Sequence, residues 1–324
     1  LRFDRIYIEV SNICNLKCHF CPEVERGQQI LAIENFENII SQVKNFTDQV
    51  CLHVMGEPLA HPKFAELISV CAKHKLKVQI TTNATLLNAQ NIAALLFPAV
   101  RQVNISLQSF AANLKSADYQ KKLNRYLNSI FHFTDLAAEL RSDLYIQFRM
   151  WNQGASDGEL EEQVNQKILL NLEEHFGIAI DHSKIQLKFK KTAPLGGRLS
   201  VQFDSRFRWP NLEDEMISDI GFCHALTSHI AIHADGTVVP CCLDKEAKIV
   251  LGNIYKTSFS EILQSPRLQA MKSGFASGTL CESLCRRCDF ISRFQSKATR
   301  LRGSIRSKKI VPVERLEEQP RGVL

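Results

Sequence analysis

Three cysteines, Cys14, Cys18 and Cys21, fall within the single stretch Cys14-Asn-Leu-Lys-Cys18-His-Phe-Cys21. Thiols packed this closely in a chain with no disulfide framework point to a metal centre in a reducing compartment. A [4Fe–4S] cubane takes one ligand per iron, so three cysteines leave one iron open to an atom of another molecule. Structural zinc wants four ligands, usually from separated pairs. His19 lies between two of the cysteines, has difficulty reaching the same metal, and reads as an ordinary loop residue. The spacing favours a cluster over zinc.

A second group of cysteines lies far downstream, at Cys223, Cys241, Cys242, Cys281, Cys285 and Cys288. Ala234-Asp235-Gly236 between two short apolar runs is a hairpin signal, with Cys223 before the hairpin and Cys241 at its end. Cys285-Arg-Arg-Cys288 returns after a helix-like stretch, so four ligands are available. Neighbouring strand residues point to opposite faces, so only one of Cys241 and Cys242 readily faces a shared metal. Taken alone, this set suits zinc or an iron–sulfur cluster. Cys51 and Cys71 sit in apolar runs and read as small buried hydrophobes.

The elements that must position these groups alternate along the first two thirds of the chain. Short β-branched or aromatic runs at 5–10, 50–54, 77–81, 102–107, 145–150 and 185–190 predict six strands. Helical stripes lie between them: Phe36, Ile39, Ile40 and Val43 in one, Phe64, Leu67, Ile68 and Cys71 in the next. Ser156 with Glu159 predicts a capping box opening the helix before the last strand. Such alternation implies right-handed crossovers and a parallel sheet covered by helices. Six units are too few for a closed eight-stranded barrel, leaving a partial barrel or a doubly wound sheet. Both put the site at the carboxyl ends of the strands. The loop Pro194-Leu-Gly-Gly197-Arg198 is expected to follow the last strand and reach that face.

The three-cysteine loop, with Phe20 before its last cysteine, resembles the signature of the radical S-adenosylmethionine superfamily. That resemblance implies a partial (β/α)6 barrel whose open iron chelates the methionyl amino and carboxylate groups of S-adenosylmethionine, with Phe20 near the adenine. One-electron cleavage then yields methionine and a 5′-deoxyadenosyl radical, which abstracts hydrogen from a substrate; the hard chemistry is the cofactor's. Met55-Gly56-Glu57-Pro58 is similar to the family's Gly-Gly-Glu-Pro segment, whose backbone holds the methionyl ammonium. Thr82 and Asn83, Ser106 and Gln108, and Arg149 resemble segments that contact the ribose and the methionyl carboxylate. The sequence departs from the family where Gln108 replaces a common acidic residue, and the family's Gly-x-Ile-x-Gly-x-x-Glu adenine motif is not evident.

Cys223, Gly236 and Cys241 resemble the start of the SPASM or twitch extension of these enzymes, which selects Cys241. No cysteine follows Cys288, so the resemblance implies a small α+β extension with one auxiliary [4Fe–4S] cluster on Cys223, Cys241, Cys285 and Cys288. Cys242 and Cys281 are spare candidates. The expected organisation is a core domain at 1–200, the extension at 201–291 and a basic tail at 292–324. A fully ligated auxiliary cluster implies electron transfer, hence oxidation or bond formation. Asp204 and Asp244, near the junction and the cluster, are proton-acceptor candidates, though surface carboxylates are the blander reading.

The net charge of +6 is concentrated in seven basic residues between positions 292 and 309, with no acidic residue among them. The body is therefore not a basic nucleic-acid surface, and the tail reads as a solvated extension or a contact strip for RNA or an acidic partner. No run of about 18 apolar residues is present, so a soluble cytoplasmic protein with no membrane partner is expected. The expected partners are a reductant such as flavodoxin or ferredoxin and a peptide, protein or small-molecule substrate, with RNA modification through the tail as an alternative. From another class, a non-catalytic zinc-stabilised binding module is the competing reading.

Overall fold

The computed structural model describes residues 1–114, 119–152, 159–181 and 192–294. The expected strand at 185–190, Ser156 of the expected capping box and nearly all of the basic tail lie outside these residues.

Five strands follow the expected order: β1 (Arg5–Ile8), β2 (Gln49–Cys51), β3 (Lys77–Thr82), β4 (Val100–Ser106) and β5 (Tyr145–Met150). They alternate with α1 (Ile33–Val43), α2 (Phe64–Lys73), α3 (Ala89–Leu95), the single turn α4 (Gln108–Ala111) and α5 (Gln120–Leu140), and α6 (Glu159–Phe176) comes after β5. β6 (Thr192–Gly196) and β7 (Leu199–Phe203) form a hairpin, as do β8 (His229–Ile232) and β9 (Thr237–Val239). β10 (Gly252–Asn253), α7 (Phe259–Ile262) and α8 (Pro266–Ser277) complete the described elements. All ten described strands join one sheet in the order β10-β9-β8-β1-β2-β3-β4-β5-β7-β6. Pairing is parallel from β8 through β1 to β5 and on to β7. The two outer strands are not paired with each other, so the result is an open, partial barrel, and the C-terminal hairpin extends its sheet.

Two expectations change. The strand that pairs parallel with β5 is β7, a segment read from sequence as following the last strand. Pro194-Leu-Gly-Gly197-Arg198 is then the hairpin bend, with φ of +108° at Gly196 and +51° at Gly197. Glycine enters this region without the Cβ clash that other residues meet. The bend lies at the amino end of β7, where Arg198 O accepts from Ile146 N at 3.1 Å and Arg198 Nη1 donates to Asp143 O at 3.2 Å. It therefore sits on the face opposite the cysteine loop.

The helices press their apolar stripes on the outer face of the sheet. Phe36, Ile39, Ile40 and Val43 of α1 are buried, as are Phe64, Leu67, Ile68 and Cys71 of α2. They cover Ile6, Ile8, Val50, Val78, Ile80, Val103 and Ile105, and each large side chain so buried contributes roughly 1.5–3 kcal/mol. The alternate strand positions are polar and face inward: Tyr7, Gln79, Thr81, Ser106 and Arg149 line an internal cavity. No described helix is long and apolar enough to cross a membrane.

Candidate active site

The cysteine loop leaves the carboxyl end of β1 and is braced by neighbouring strand ends. Asn83 Nδ2 lies 3.8 Å from Cys14 Sγ and 3.0 Å from Asn15 Oδ1. Asn113 Nδ2 donates to Cys18 Sγ at 3.0 Å, while its Oδ1 accepts from Lys17 N at 3.1 Å. Burial raises all three thiol pKa values, Cys21 to about 12 with help from the neighbouring Cys18 and Cys14 charges, while the amide donors oppose the rise at Cys14 and Cys18. A bound metal would displace these protons, because the thiolate is the ligand.

Beside this loop the chain makes a close approach. Gly56 has φ of +78°, and a Cβ there would collide with the Ser11 carbonyl oxygen and meet Ile13 O at 2.9 Å. Glu57 N donates to Ile13 O at 2.9 Å, binding the two loops together. The Glu57 carboxylate turns inward, accepting from Leu59 N at 3.0 Å, Thr82 Oγ1 at 2.7 Å and Asn83 N at 2.7 Å. Burial nonetheless raises its pKa to about 7. Of the residues that the family resemblance assigns to cofactor, Phe20, Gly56, Ser106, Gln108 and Arg149 line the cavity. Glu57, Thr82 and Asn83 are engaged inside the protein, where they join the ends of β2 and β3 to the cysteine loop. Pro58 opens a short 3₁₀ turn and is buried.

The cavity, about 530 Å³, is lined both by Phe20 and Cys21 and by Cys223, Cys241, Cys242, Cys285 and Cys288. The structure brings Cys223, Cys241, Cys285 and Cys288 together: burial is the largest cause of the raised Cys241 pKa, followed by the charges of Cys242, Cys223, Cys285 and Cys288. Gly236, with φ of +80°, makes the β8–β9 bend beneath the Tyr255 ring, so that Cys241 emerges toward this set. Cys241 packs against the main core, whereas Cys242 packs with Tyr7 against a separate cluster of Val54, Met55, Ala231 and Val239. Cys281 is exposed and packs on α8, its Sγ 3.7 Å from Ala270 O. Among the described residues no three His, Cys, Asp or Glu side chains converge as a single ion would require.

The donor set of each cysteine group suits iron–sulfur chemistry, and the cavity wall suits a polar ligand. Gln108 Oε1, His53 Nδ1, Arg149 Nε and Trp151 Nε1 are buried atoms without a hydrogen-bond partner among the described residues, and all four side chains line the cavity. The two carboxylates considered as proton acceptors are occupied. Asp204 pairs with Arg293 Nη1 at 2.6 Å and accepts from Ser205 N, and Asp244 accepts from Lys248 N and Ile249 N at 2.8 Å each.

Sequence reasoning missed a carboxylate that braces the loop. Glu161 on α6 accepts from Asn152 Nδ2 at 2.7 Å and Arg206 Nη2 at 2.9 Å, with His19 Nε2 at 3.8 Å. The Arg206 guanidinium in turn lies 5.5 Å from the Phe20 ring centre. No local pattern announces this convergence, since the partners come from four separate segments. The polar inner wall was readable: Arg5, Tyr7 and Glu9 alternate with Ile6 and Ile8 along β1.

Residues 8–142 match the radical SAM superfamily, and residues 223–289 match SPASM, an iron–sulfur cluster-binding domain. Over 112 residues the chain is 27% identical to the PqqA peptide cyclase of Rhodopseudomonas palustris, covering 34% of this chain and 30% of that relative. The match thus spans under a third of the relative's length. The fold is similar to that of BtrN in complex with AdoMet and 2-DOIA, with a TM-score of 0.56, 15% identity and coverage of 90% and 95% of the two chains. It is equally similar to Streptococcus suis SuiB bound to precursor peptide SuiA, with a TM-score of 0.56, 15% identity and coverage of 91% and 74%.

Proposed function

This chain belongs to the radical SAM superfamily and carries a SPASM extension, and from that premise we propose that it oxidises, or forms a bond within, a peptide or small-molecule substrate. The observation that carries the proposal is the shared cavity, lined by Cys21 of the first cysteine set and by Cys223, Cys241, Cys285 and Cys288 of the second. A substrate held between the two sets is placed to lose a hydrogen atom at one and an electron at the other.

When bound, the cluster and S-adenosylmethionine supply a 5′-deoxyadenosyl radical by one-electron reductive cleavage. Cys14, Cys18 and Cys21 hold that cluster in this proposal, and Cys223, Cys241, Cys285 and Cys288 hold an auxiliary one. Gly56 would present its backbone to the methionyl end, and its missing Cβ is what lets this loop close on the Ser11 and Ile13 carbonyls. Ser106 and Gln108 orient the ribose side, and Phe20 offers a ring face to the adenine. Thr82, Asn83, Glu57 and Pro58 position the loops that carry these contacts. The apolar face of the cavity excludes water, which protects a radical from quenching. A low-potential donor such as flavodoxin or ferredoxin supplies the electron. PqqA peptide cyclase and the SuiB–SuiA complex, named for their peptides, support a peptide substrate; BtrN with 2-DOIA supports a small one.

The test is formation of 5′-deoxyadenosine by anaerobically reconstituted protein given S-adenosylmethionine and dithionite, with Cys18→Ala as control. Formation that disappears in the variant is expected. Its absence from folded, iron-loaded wild type would sink the proposal.

A further inference from the structure

The segment that ends α4 grips the cysteine loop through one side chain. Asn113, just beyond α4, reaches three groups at once: its Oδ1 accepts from Lys17 N at 3.1 Å, and its Nδ2 donates to Ser109 O at 2.8 Å and to Cys18 Sγ at 3.0 Å. A side-chain amide keeps its shape when turned over, so its partners decide which end is nitrogen. Here they leave no choice. The Lys17 N–H only donates and the Ser109 carbonyl only accepts, so the oxygen faces the loop backbone and the nitrogen faces the sulfur. One amide hydrogen is then left for each acceptor.

The thiols are not treated alike. Cys14 Sγ receives Leu16 N at 3.4 Å and Asn83 Nδ2 at 3.8 Å, both longer than the contact from Asn113 to Cys18. No local pattern makes that contact, which joins residues 95 positions apart. A thiolate that ligates iron gains negative charge when its cluster is reduced, and an N–H aimed at the sulfur stabilises that charge. Hydrogen bonds to the sulfurs are for this reason among the determinants of a cluster's reduction potential.

We propose that Asn113, by donating to the Cys18 sulfur, raises the reduction potential of the cluster held by Cys14, Cys18 and Cys21. The inference rests on the radical-enzyme reading of the same loop and adds to it a residue outside the three-cysteine signature. Asn113 touches no reacting atom; it is a positioning residue that acts through Cys18.

The test is a redox titration of the reconstituted full chain followed by electron paramagnetic resonance, reading the signal that Cys18→Ala abolishes. Asn113→Leu removes the donor and is expected to shift the reduction equilibrium about tenfold toward the oxidised cluster, or about 59 mV for one electron. Asn113→Asp keeps an acceptor for Lys17 N while adding a negative charge, and is expected to lower the potential further. Thr85→Val removes a different brace on the same loop, the 2.8 Å bond from Asn15 Nδ2 to Thr85 Oγ1, and is expected to leave the potential unchanged. A wild-type potential in Asn113→Leu at full iron content overturns the proposal, as does an equal shift in Thr85→Val, which would make the effect one of loop position. Wild type grown with asparagine isotope-labelled at the side-chain nitrogen gives a reading that needs no variant: a coupling of that nucleus to the reduced cluster is expected in pulsed electron paramagnetic resonance, and its absence overturns the proposal. The same preparations are assayed for 5′-deoxyadenosine. A wild type that makes it, beside an Asn113→Leu variant of unchanged potential, refutes only the role of Asn113, and an iron-loaded wild type that makes none refutes the parent reading.

Discussion

Glu9 and Arg26 form an ion pair at the top of the barrel, with Arg26 Nη2 at 3.0 Å from Glu9 Oε1 and 2.9 Å from Oε2. Glu9 is wholly buried at the end of β1, and Arg26 comes from the segment just after Cys21. Arg26 Nε donates to Lys245 O at 2.7 Å, and Glu246 accepts from Glu25 N and Arg26 N. The segment following the first cysteine set is thereby fastened both to the barrel and to the loop following Cys242.

Removing one member of a buried pair leaves the other charge desolvated, at a cost of about 3 kcal/mol. Glu9→Gln is therefore expected to destabilise the protein by about this much in urea unfolding. A loss below about 1 kcal/mol would mean that Glu246, 4.0 Å from Arg26 Nε, carries the charge instead.

Gly56→Ala should be severe. A side chain there collides with the Ser11 carbonyl and forces a positive φ on alanine, so the cysteine loop and the β2 loop must separate. The expected result is weakened binding of S-adenosylmethionine by more than tenfold and a loss of stability of about 2 kcal/mol. Equilibrium dialysis and thermal unfolding measure the two separately, and wild-type values in both would refute the close-approach argument.

The different packing of Cys241 and Cys242 separates their substitutions. Cys241→Ser should lower iron from about eight to about four atoms per chain. Cys242→Ser should leave iron intact, because its side chain packs with Tyr7 against the separate cluster. The reverse pattern in iron analysis would assign the second set to Cys242.

His53 makes stability pH-dependent. Its folded pKa is lowered to about 3, against about 6.5 unfolded. Between these values the unfolded chain holds the extra proton, so stability present above about pH 6.5 is lost as the pH falls toward 3, by at most about 1.4 kcal/mol per pH unit. His53→Gln should show a shallower decline in urea midpoint than wild type between pH 7.5 and 5.5. Parallel declines would show that His53 contributes nothing to it.

Much of this was legible because it is local. Cys14, Cys18 and Cys21 are close in any conformation of so short a loop, and the stripes of α1 and α2 follow from helical period alone. Strand alternation was expected to separate Cys241 from Cys242, but β9 ends at Val239 and both lie in the turn beyond it. The bend at Gly196 and Gly197 was misplaced because a loop's sequence does not say which end of the sheet it serves; that depends on β7, not an earlier segment, pairing with β5.

By itself, then, the sequence determined the element alternation, the two cysteine groups and the likeness to radical S-adenosylmethionine enzymes, all written in neighbouring residues. Tertiary structure decided that both groups open on one cavity, that Glu57 faces inward, and that Arg149 of β5 shares that cavity with Arg5, Tyr7 and Cys242. The physical reason is separation along the chain. These contacts join segments far apart in sequence, and only the order and curvature of the sheet bring them to one wall.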